Sequence, residues 1–306
     1  MKRDVHVVID EALCTGCGAC VDICPHDTLT LADGKATVTG DDSLSCGHCL
    51  AVCPTNAITL TGHTPMTLGY QTFETPKGWL SPGTFDVGRL VHLMASRRSC
   101  RHFTDDPVPL KVLQDLVKIG TTAPSGTNAQ LWNFTLLPDR PSVEGVAEGV
   151  LTFFKKLNRL ARIAPLRGVL KILGKPELSA YYADYHDRIE EGIASWTTER
   201  WDRLFHGAPA AILVSCSRDA SCPAEDALLA SNQILLAAHA MGLGTCLVGF
   251  AVEALAHDKA LRALTQTPDN ETVYAVIAIG HPDEPYRRPS VRKPITPRVV
   301  QIESAP

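Results

Sequence analysis

No run of about 18 apolar residues occurs anywhere in this chain, and its opening residues lack the apolar stretch of an export signal. The expectation is a cytoplasmic protein that does not engage a membrane. Charge of one sign is also scarce: 29 Lys and Arg against 33 Asp and Glu leave −4, which argues against a nucleic-acid partner. No G-x-G-x-x-G follows a predicted strand, so no dedicated nicotinamide-binding domain is indicated. What the 306 residues do have is apolar content, 45%, enough for a sizeable core in one large or two modest domains.

Cysteine is abundant but unevenly placed: seven of the eleven fall within the first 53 residues at ligand spacing. Without an export signal, metal binding is a better reading than disulfides. Residues 14–25, CTGCGACVDICP, form a complete C-x₂-C-x₂-C-x₃-C-P run, the pattern that holds a [4Fe–4S] cluster and lends its fourth cysteine to a second one. Residues 43–54, SLSCGHCLAVCP, repeat that run with Ser43 in the first slot. By the interleaving rule Cys14, Cys17, Cys20 and Cys53 hold one cluster. Cys24, Cys46 and Cys49 hold the other, and its fourth position is open. Ser43 through oxygen, a [3Fe–4S] cluster that needs no fourth ligand, and a thiol or imidazole such as Cys222 or His48 are the alternatives. A structural zinc site is the simpler reading of CxxC pairs, although it does not require seven interleaved cysteines.

The charge follows the same boundary. Residues 1–62 hold eight acids against Lys2, Arg3 and Lys35, whereas the remainder is nearly neutral. Within this module VHVVI at 5–9 reads as a strand, Asp33-Gly34 as a hairpin turn between alternating runs, and AITL at 57–60 as a closing strand: strand, cysteine loop, strand, repeated once. The module resembles bacterial two-cluster ferredoxins. Residues 63–88, rich in Gly, Pro and Thr and without periodicity, read as a linker.

From residue 89 helices and strands mix: helices at 89–97 and 109–119, a strand at 132–138, a helical stretch at 141–206, and buried strands at 210–216 and 272–280 flanking a long helix that Gly242 stops. Two stretches here carry chemistry. RRSCRHF at 97–103 gathers Arg97, Arg98, Ser99 and Arg101, a composition suited to a phosphate. APSGTNAQLWNF at 123–134 offers Ser125, Asn128 and Gln130 in a turn before a strand.

In this order the two stretches resemble the FMN-dependent nitroreductase family, with its R-R-S-x-R-x-F and PS-x-x-N-x-Q-P-W motifs. GLGTCLVGF at 242–250 and IGHPDEPYRRPSVRKP at 279–294 extend the resemblance over residues 89–306. It implies an α+β fold, a ferredoxin-like iron–sulfur domain followed by a central mixed sheet surrounded by helices. It implies FMN held at its phosphate and ribityl end by Arg97, Arg98, Ser99 and Arg101, with Arg292 and Lys293 from the C-terminal segment. Ser125, Asn128 and Gln130 would lie along the ribityl chain and ring edge, and the backbone of Val248 and Gly249 would approach flavin N5. It further implies a homodimer with FMN at the interface, contacts from 97–101 and from 246–249 coming from different chains. Residues 141–206 would cover the open flavin face, which makes Tyr181, Tyr182, His186 and Trp196 candidate substrate contacts. Leu131 departs from the family's proline and should loosen the turn.

Joined, the halves imply an oxidoreductase that passes electrons between clusters and FMN to a small electrophilic organic acceptor: a nitroaromatic, quinone or activated alkene. Ferredoxin or NAD(P)H would be the donor. The alternative is a non-catalytic electron carrier or redox sensor acting on a protein partner, and flavin modification or dehalogenation is a third. No catalytic proton donor stands out.

Overall fold

The structure, a computed structural model, describes residues 4–301; the outermost ends of the two expected domains, 1–3 and 302–306, lie outside the described residues. Strands β1 (Val7–Ile9) and β4 (Ile58–Leu60) pair antiparallel and close the N-terminal half, with Val8 opposite Thr59. Between them β2 (Leu29–Ala32) and β3 (Lys35–Val38) form a hairpin. Its turn residues Asp33 and Gly34 both have positive φ, 49° and 74°, as a two-residue turn matched to strand twist requires. Two short helices, α1 (Ala19–Asp22) and α2 (His48–Val52), each start after a glycine with left-handed backbone, Gly18 and Gly47. Leu29, Ala36 and Ile58 pack with Cys20 and Cys49 as a small core.

Residues 63–86 contain no helix or strand, yet part of them is fixed. The carboxylate of Asp115, 1% exposed, accepts from the Gln71 and Thr72 amides and the Thr72 hydroxyl at 2.6–3.1 Å. That anchors the segment onto α4 (Leu110–Gly120). Burial raises the Asp115 carboxyl, but these donors outweigh it and hold it below its ordinary value. Helix α3 (Val87–Ser96) begins two residues before the expected start because the Asp86 side chain caps it, accepting from the Arg89 amide at 2.9 Å.

The remaining elements are β5 (Trp132–Leu137), α5 (Arg140–Ala161), α6 (Ala164–Ile172), α7 (Glu177–Asp184), α8 (His186–Glu199), β6 (Ala210–Ser217), α9 (Pro223–Ala240), β7 (Gly244–Leu247), α10 (Gly249–His257), α11 (Lys259–Leu264) and β8 (Glu271–Gly280). The sheet runs β5-β6-β8-β7 with antiparallel pairing at each junction, and a parallel bridge from Ser99 to Thr245 makes it mixed at the β7 edge. Both central strands are continuous apolar runs because both faces are covered. Ile212, Val214, Ile277 and Ile279 face α4 and α9, whereas Leu213, Val276 and Ala278 face α5 and α10. The architecture is therefore helix, sheet, helix.

The helical stretch expected at 141–206 is four helices and ends at Glu199. Arg200 and His206 take left-handed backbone and residues 200–207 form an irregular loop. Strand β7 and helices α10 and α11 come from short segments whose periodicity is too brief to register in sequence.

Candidate functional site

The seven cysteines divide into two hollows, as the interleaved spacing requires. One is walled by Cys14, Cys17, Cys20 and Cys53, the other by Cys24, Cys46, Cys49 and Ser43. Among the described residues no three Cys, His, Asp or Glu side chains close on a single point as a mononuclear ion needs. Backbone N–H groups turn toward the sulfurs: the Ala57 amide donates to Cys53 Sγ at 3.2 Å and the Ala36 amide to Cys14 Sγ at 3.5 Å. The Ala36 and Gly16 amides hold the Cys14 thiol below its ordinary value. Burial raises Cys24 and Cys53, but at Cys24 the His26 amide, the Thr28 hydroxyl and the Thr28 and Leu29 amides, and at Cys53 the Thr55 hydroxyl and the Thr55, Ala57 and Ile58 amides, outweigh it and lower both. Burial leaves Cys20 and Cys49 raised. A soft, amide-solvated donor set of this kind fits an iron–sulfur cluster.

Gly16 shows how tightly the first loop is built. Its φ is 70°, and a Cβ there would stand 2.0 Å from the Gly34 carbonyl oxygen of the hairpin turn. Only glycine fits both conditions.

The halves meet at the second hollow. The Asn128 amide donates from Nδ2 to the carbonyls of Leu44 and Ser45, at 3.0 Å each. Thr127, Asn128 and Gln130 all have positive φ, 52–54°, and a proline at 131 would bias residue 130 toward extended backbone. Leu131 thus permits the observed turn. Ser125 Oγ accepts from the Gln130 amide at 3.0 Å, and the Gly126 amide donates to buried Asp226 on α9 at 2.8 Å. The exposed Cys222 lies beside Gly126, where it does not wall the second hollow.

The other residues expected to hold a phosphate gather at the β7 edge. Ser99 bridges to Thr245, and the Cys100 amide donates to the Thr245 carbonyl at 2.9 Å. The Arg97 guanidinium is lowered by burial and by nearby Arg98 and Arg292, so three cations share one region. The Arg101 amide donates to Glu284 at 3.2 Å. Lys293 follows Arg292 in an exposed segment without regular structure. Residues 97–101 therefore adjoin 244–246 within one chain. The parallel bridge is the reason.

Val248 and Gly249 differ in what they offer. The Val248 amide donates to the Val276 carbonyl at 2.8 Å, so only Gly249, at the start of α10 where N–H groups lack intrahelical acceptors, has an amide suited to a ring atom. A Cβ on Gly249 would meet nothing within 4 Å, so space lies open there.

Ser125, Asn128 and Gln130 are not brought to this group. They precede β5, at the opposite edge and opposite end of the sheet from the Ser99–Thr245 bridge. Strand spacing and rise put the two groups about 25–30 Å apart.

Beside Arg101 and Phe250 opens a cavity of about 790 Å³, bounded by Phe154, Arg188, Trp196 and His206 among others. Of the four residues expected to cover the flavin, Trp196 alone reaches it. Tyr181 donates to Asn158 and is pushed up to about 12 by burial. His186 is buried and pairs with Asp187, and Tyr182 lies under the Arg167 guanidinium at 3.8 Å. What sequence reasoning missed is the loop 201–207, where Asp202 binds Arg140 at 2.8 Å and accepts from the Leu204 and Phe205 amides. An aspartate between Trp201 and Phe205 was the available signal.

No helix among the described residues is long and apolar enough to cross a membrane. Residues 94–281 match the Nitroreductase family, and residues 13–57 match the 4Fe-4S dicluster domain. An iodotyrosine deiodinase from Thermotoga neapolitana is 26% identical over 200 residues, covering 64% of this chain and 90% of that protein. A 4-nitrobenzoate reductase from Nocardioides is 24% identical over 208 residues, 62% and 79% of the two chains. A Bacteroides fragilis nitroreductase crystallised with bound FMN has the same fold, with TM-score 0.53, 21% identity, and coverage of 69% and 98%.

Proposed function

The chain belongs to the nitroreductase family and carries a 4Fe-4S dicluster domain at its N-terminal end, and from that premise we propose an iron–sulfur flavoprotein oxidoreductase. In this reading it exchanges electrons between two clusters and FMN to reduce a small electrophilic organic acceptor. The observation that carries the reading is the pair of hydrogen bonds from Asn128 to Leu44 and Ser45, which fastens the loop of the second cysteine hollow to the flavin half. Clusters deliver single electrons, and a flavin collects two and releases them as hydride.

The residues of this chain would supply the rest. Cys14, Cys17, Cys20 and Cys53 hold the outer cluster, and Cys24, Cys46 and Cys49 hold the one beside Asn128. Arg97, Arg98, Ser99, Arg101, Arg292 and Lys293 hold the phosphate end of FMN, and the crowding of cations at Arg97 is relieved by a bound dianion. Gly249 presents the amide nearest the ring. Ser125, Asn128 and Gln130 are too far away to join the same flavin in one chain. A second copy brings them to it, so the working unit is a homodimer in which the second cluster of one chain serves the flavin phosphate-bound by the other. Val291, Ile295 and Val299, 80–87% exposed on the extended C-terminal segment, are apolar surface of the kind a second copy covers. Sedimentation should give a dimer with one FMN per chain; a monomer with full FMN would contradict this assembly.

The cavity of about 790 Å³ is sized for a small organic acceptor, and its aromatic walls with Arg188 suit a planar ring carrying an anionic group. An acidic N-terminal module suits docking of a carrier protein that presents a basic face. The test is an anaerobic titration of purified protein with reduced ferredoxin, NADH or NADPH, followed by nitroaromatic, quinone and activated-alkene acceptors. Turnover of at least one acceptor class is the expected result. Reduction of the protein without reoxidation by any of the three would contradict the enzymatic reading.

A further inference from the structure

The second hollow has three cysteines and no fourth thiol, and the backbone shows what stands in the fourth place. The module repeats itself at an offset of 29 residues. Left-handed backbone recurs in register: Gly16 with Ser45 (70° and 50°), Gly18 with Gly47 (81° and 75°), Asp27 with Asn56 (49° and 56°). Hydrogen bonds recur too. The Asp22 amide donates to Gly18 and the Ala51 amide to Gly47, and the Cys24 amide donates to Val21 as the Cys53 amide does to Leu50. Cys17, Cys20 and Cys24 map onto Cys46, Cys49 and Cys53. Under the same operation Cys14 maps onto Ser43.

The match extends to the ligand atom. The Gly16 amide is directed at the Cys14 sulfur, and its counterpart, the Ser45 amide, donates to Ser43 Oγ at 3.1 Å. Ser43 is 7% exposed, a serine withdrawn from solvent in a surface loop, and it walls the same hollow as Cys24, Cys46 and Cys49. The competing donors do not occupy the symmetry position. His26 maps onto Thr55 and pairs with Asp42 at 3.3 Å; His48 maps onto Ala19; Cys222 lies outside the hollow.

Resting on the ferredoxin-like reading of residues 1–62, we propose that Ser43 Oγ is the fourth protein ligand of the second cluster, which is therefore a complete four-iron cluster. On coordination the hydroxyl O–H breaks and an Oγ–Fe bond forms. The proton leaves to solvent, no electron is exchanged, and the alkoxide contributes the same single negative charge as a thiolate. Oxygen is a harder donor than sulfur and favours the oxidised iron, so the second cluster sits at a lower potential than a four-cysteine version would.

The test compares full-length wild type, Ser43→Ala and Ser43→Cys, purified without oxygen, by iron and sulfide analysis, EPR, Mössbauer spectroscopy and a redox titration of each cluster. Wild type should contain two four-iron clusters. Ser43→Ala should lose one iron per chain and show a three-iron signal, with the Cys14 cluster unchanged as internal control. Ser43→Cys should keep all its iron and raise the midpoint potential of the second cluster alone. Wild type already carrying a three-iron cluster, or Ser43→Ala keeping its full iron and the wild-type spectrum, would overturn the proposal. Should Ser43→Ala fail to fold, the Ser43→Cys potential decides: a shift supports the ligand, and an unchanged value removes it. Iron and sulfide missing from all three folded proteins would instead defeat the ferredoxin-like reading on which the proposal rests.

Discussion

Replacing Asn128 by alanine removes the side-chain tie between the halves and leaves two loop carbonyls, those of Leu44 and Ser45, without that donor. Each neutral hydrogen bond contributes about 0.5–1.5 kcal/mol net, so the pair is worth about 1–3 kcal/mol. At about 1.4 kcal/mol per factor of ten, the loop should open about 5- to 150-fold more often. Local opening is read by amide hydrogen exchange. Peptides covering 41–47 should exchange faster by that factor, while those in β6 and β8 stay at wild-type rates. Asn128→Asp tests the sign. It keeps the shape but sets a carboxylate against two carbonyl oxygens, and so should loosen the loop more than alanine. Electron passage from clusters to flavin should slow in the same order: wild type, alanine, aspartate. Unchanged exchange in 41–47 for both variants would refute the claim that Asn128 joins the halves.

Three further outcomes are expected. Asp115→Ala should free residues 66–75 from α4, seen as new protease cleavage there, at a loss of about 2–3 kcal/mol for a buried, charge-assisted set of hydrogen bonds. The Asp115 carboxyl is depressed in the folded protein. Its contribution is therefore complete above the unfolded carboxylate pKa and is lost as pH falls through the folded value, so wild type should release this segment in acid whereas the alanine variant shows no such step. Arg97→Ala should weaken FMN binding about 10- to 100-fold in a fluorescence titration, a deficit that narrows at high salt. Ile277→Ala, at a fully buried site in the central strand, should destabilise the flavin half by about 2–5 kcal/mol in denaturant unfolding and leave the clusters' spectrum intact.

The N-terminal half was legible in sequence nearly to the residue because its chemistry is local. Cysteine spacing, the Asp33-Gly34 turn and the repeat each lie within a few residues of one another, and the two hollows form where the interleaving rule puts them. In the flavin half the long buried strands β6 and β8 announced themselves by composition, whereas β7 is only Gly244–Leu247 and gains its place from pairing with β8 and Ser99. The site was less legible, for a physical reason. Motif order along the chain does not say which edge of a sheet a motif occupies. Asn128 stands out by its family motif, but nothing in that motif tells that its side chain reaches back some eighty residues to the second cysteine loop. The backbone of Val248 and Gly249 reads as one approach to the ring, and motif order does not tell that pairing with Val276 uses the Val248 amide. Both depend on long-range contacts that periodicity does not record.

Rapid anaerobic mixing with a one-electron donor, following cluster and flavin absorbance separately, tests the electron path most directly. The clusters should bleach first, and the flavin should follow in a first-order step independent of donor concentration. That step should disappear in a Cys46→Ala variant, which removes a cysteine that walls the second hollow. Flavin that bleaches directly, at a rate proportional to donor and untouched by Cys46→Ala, would contradict the account.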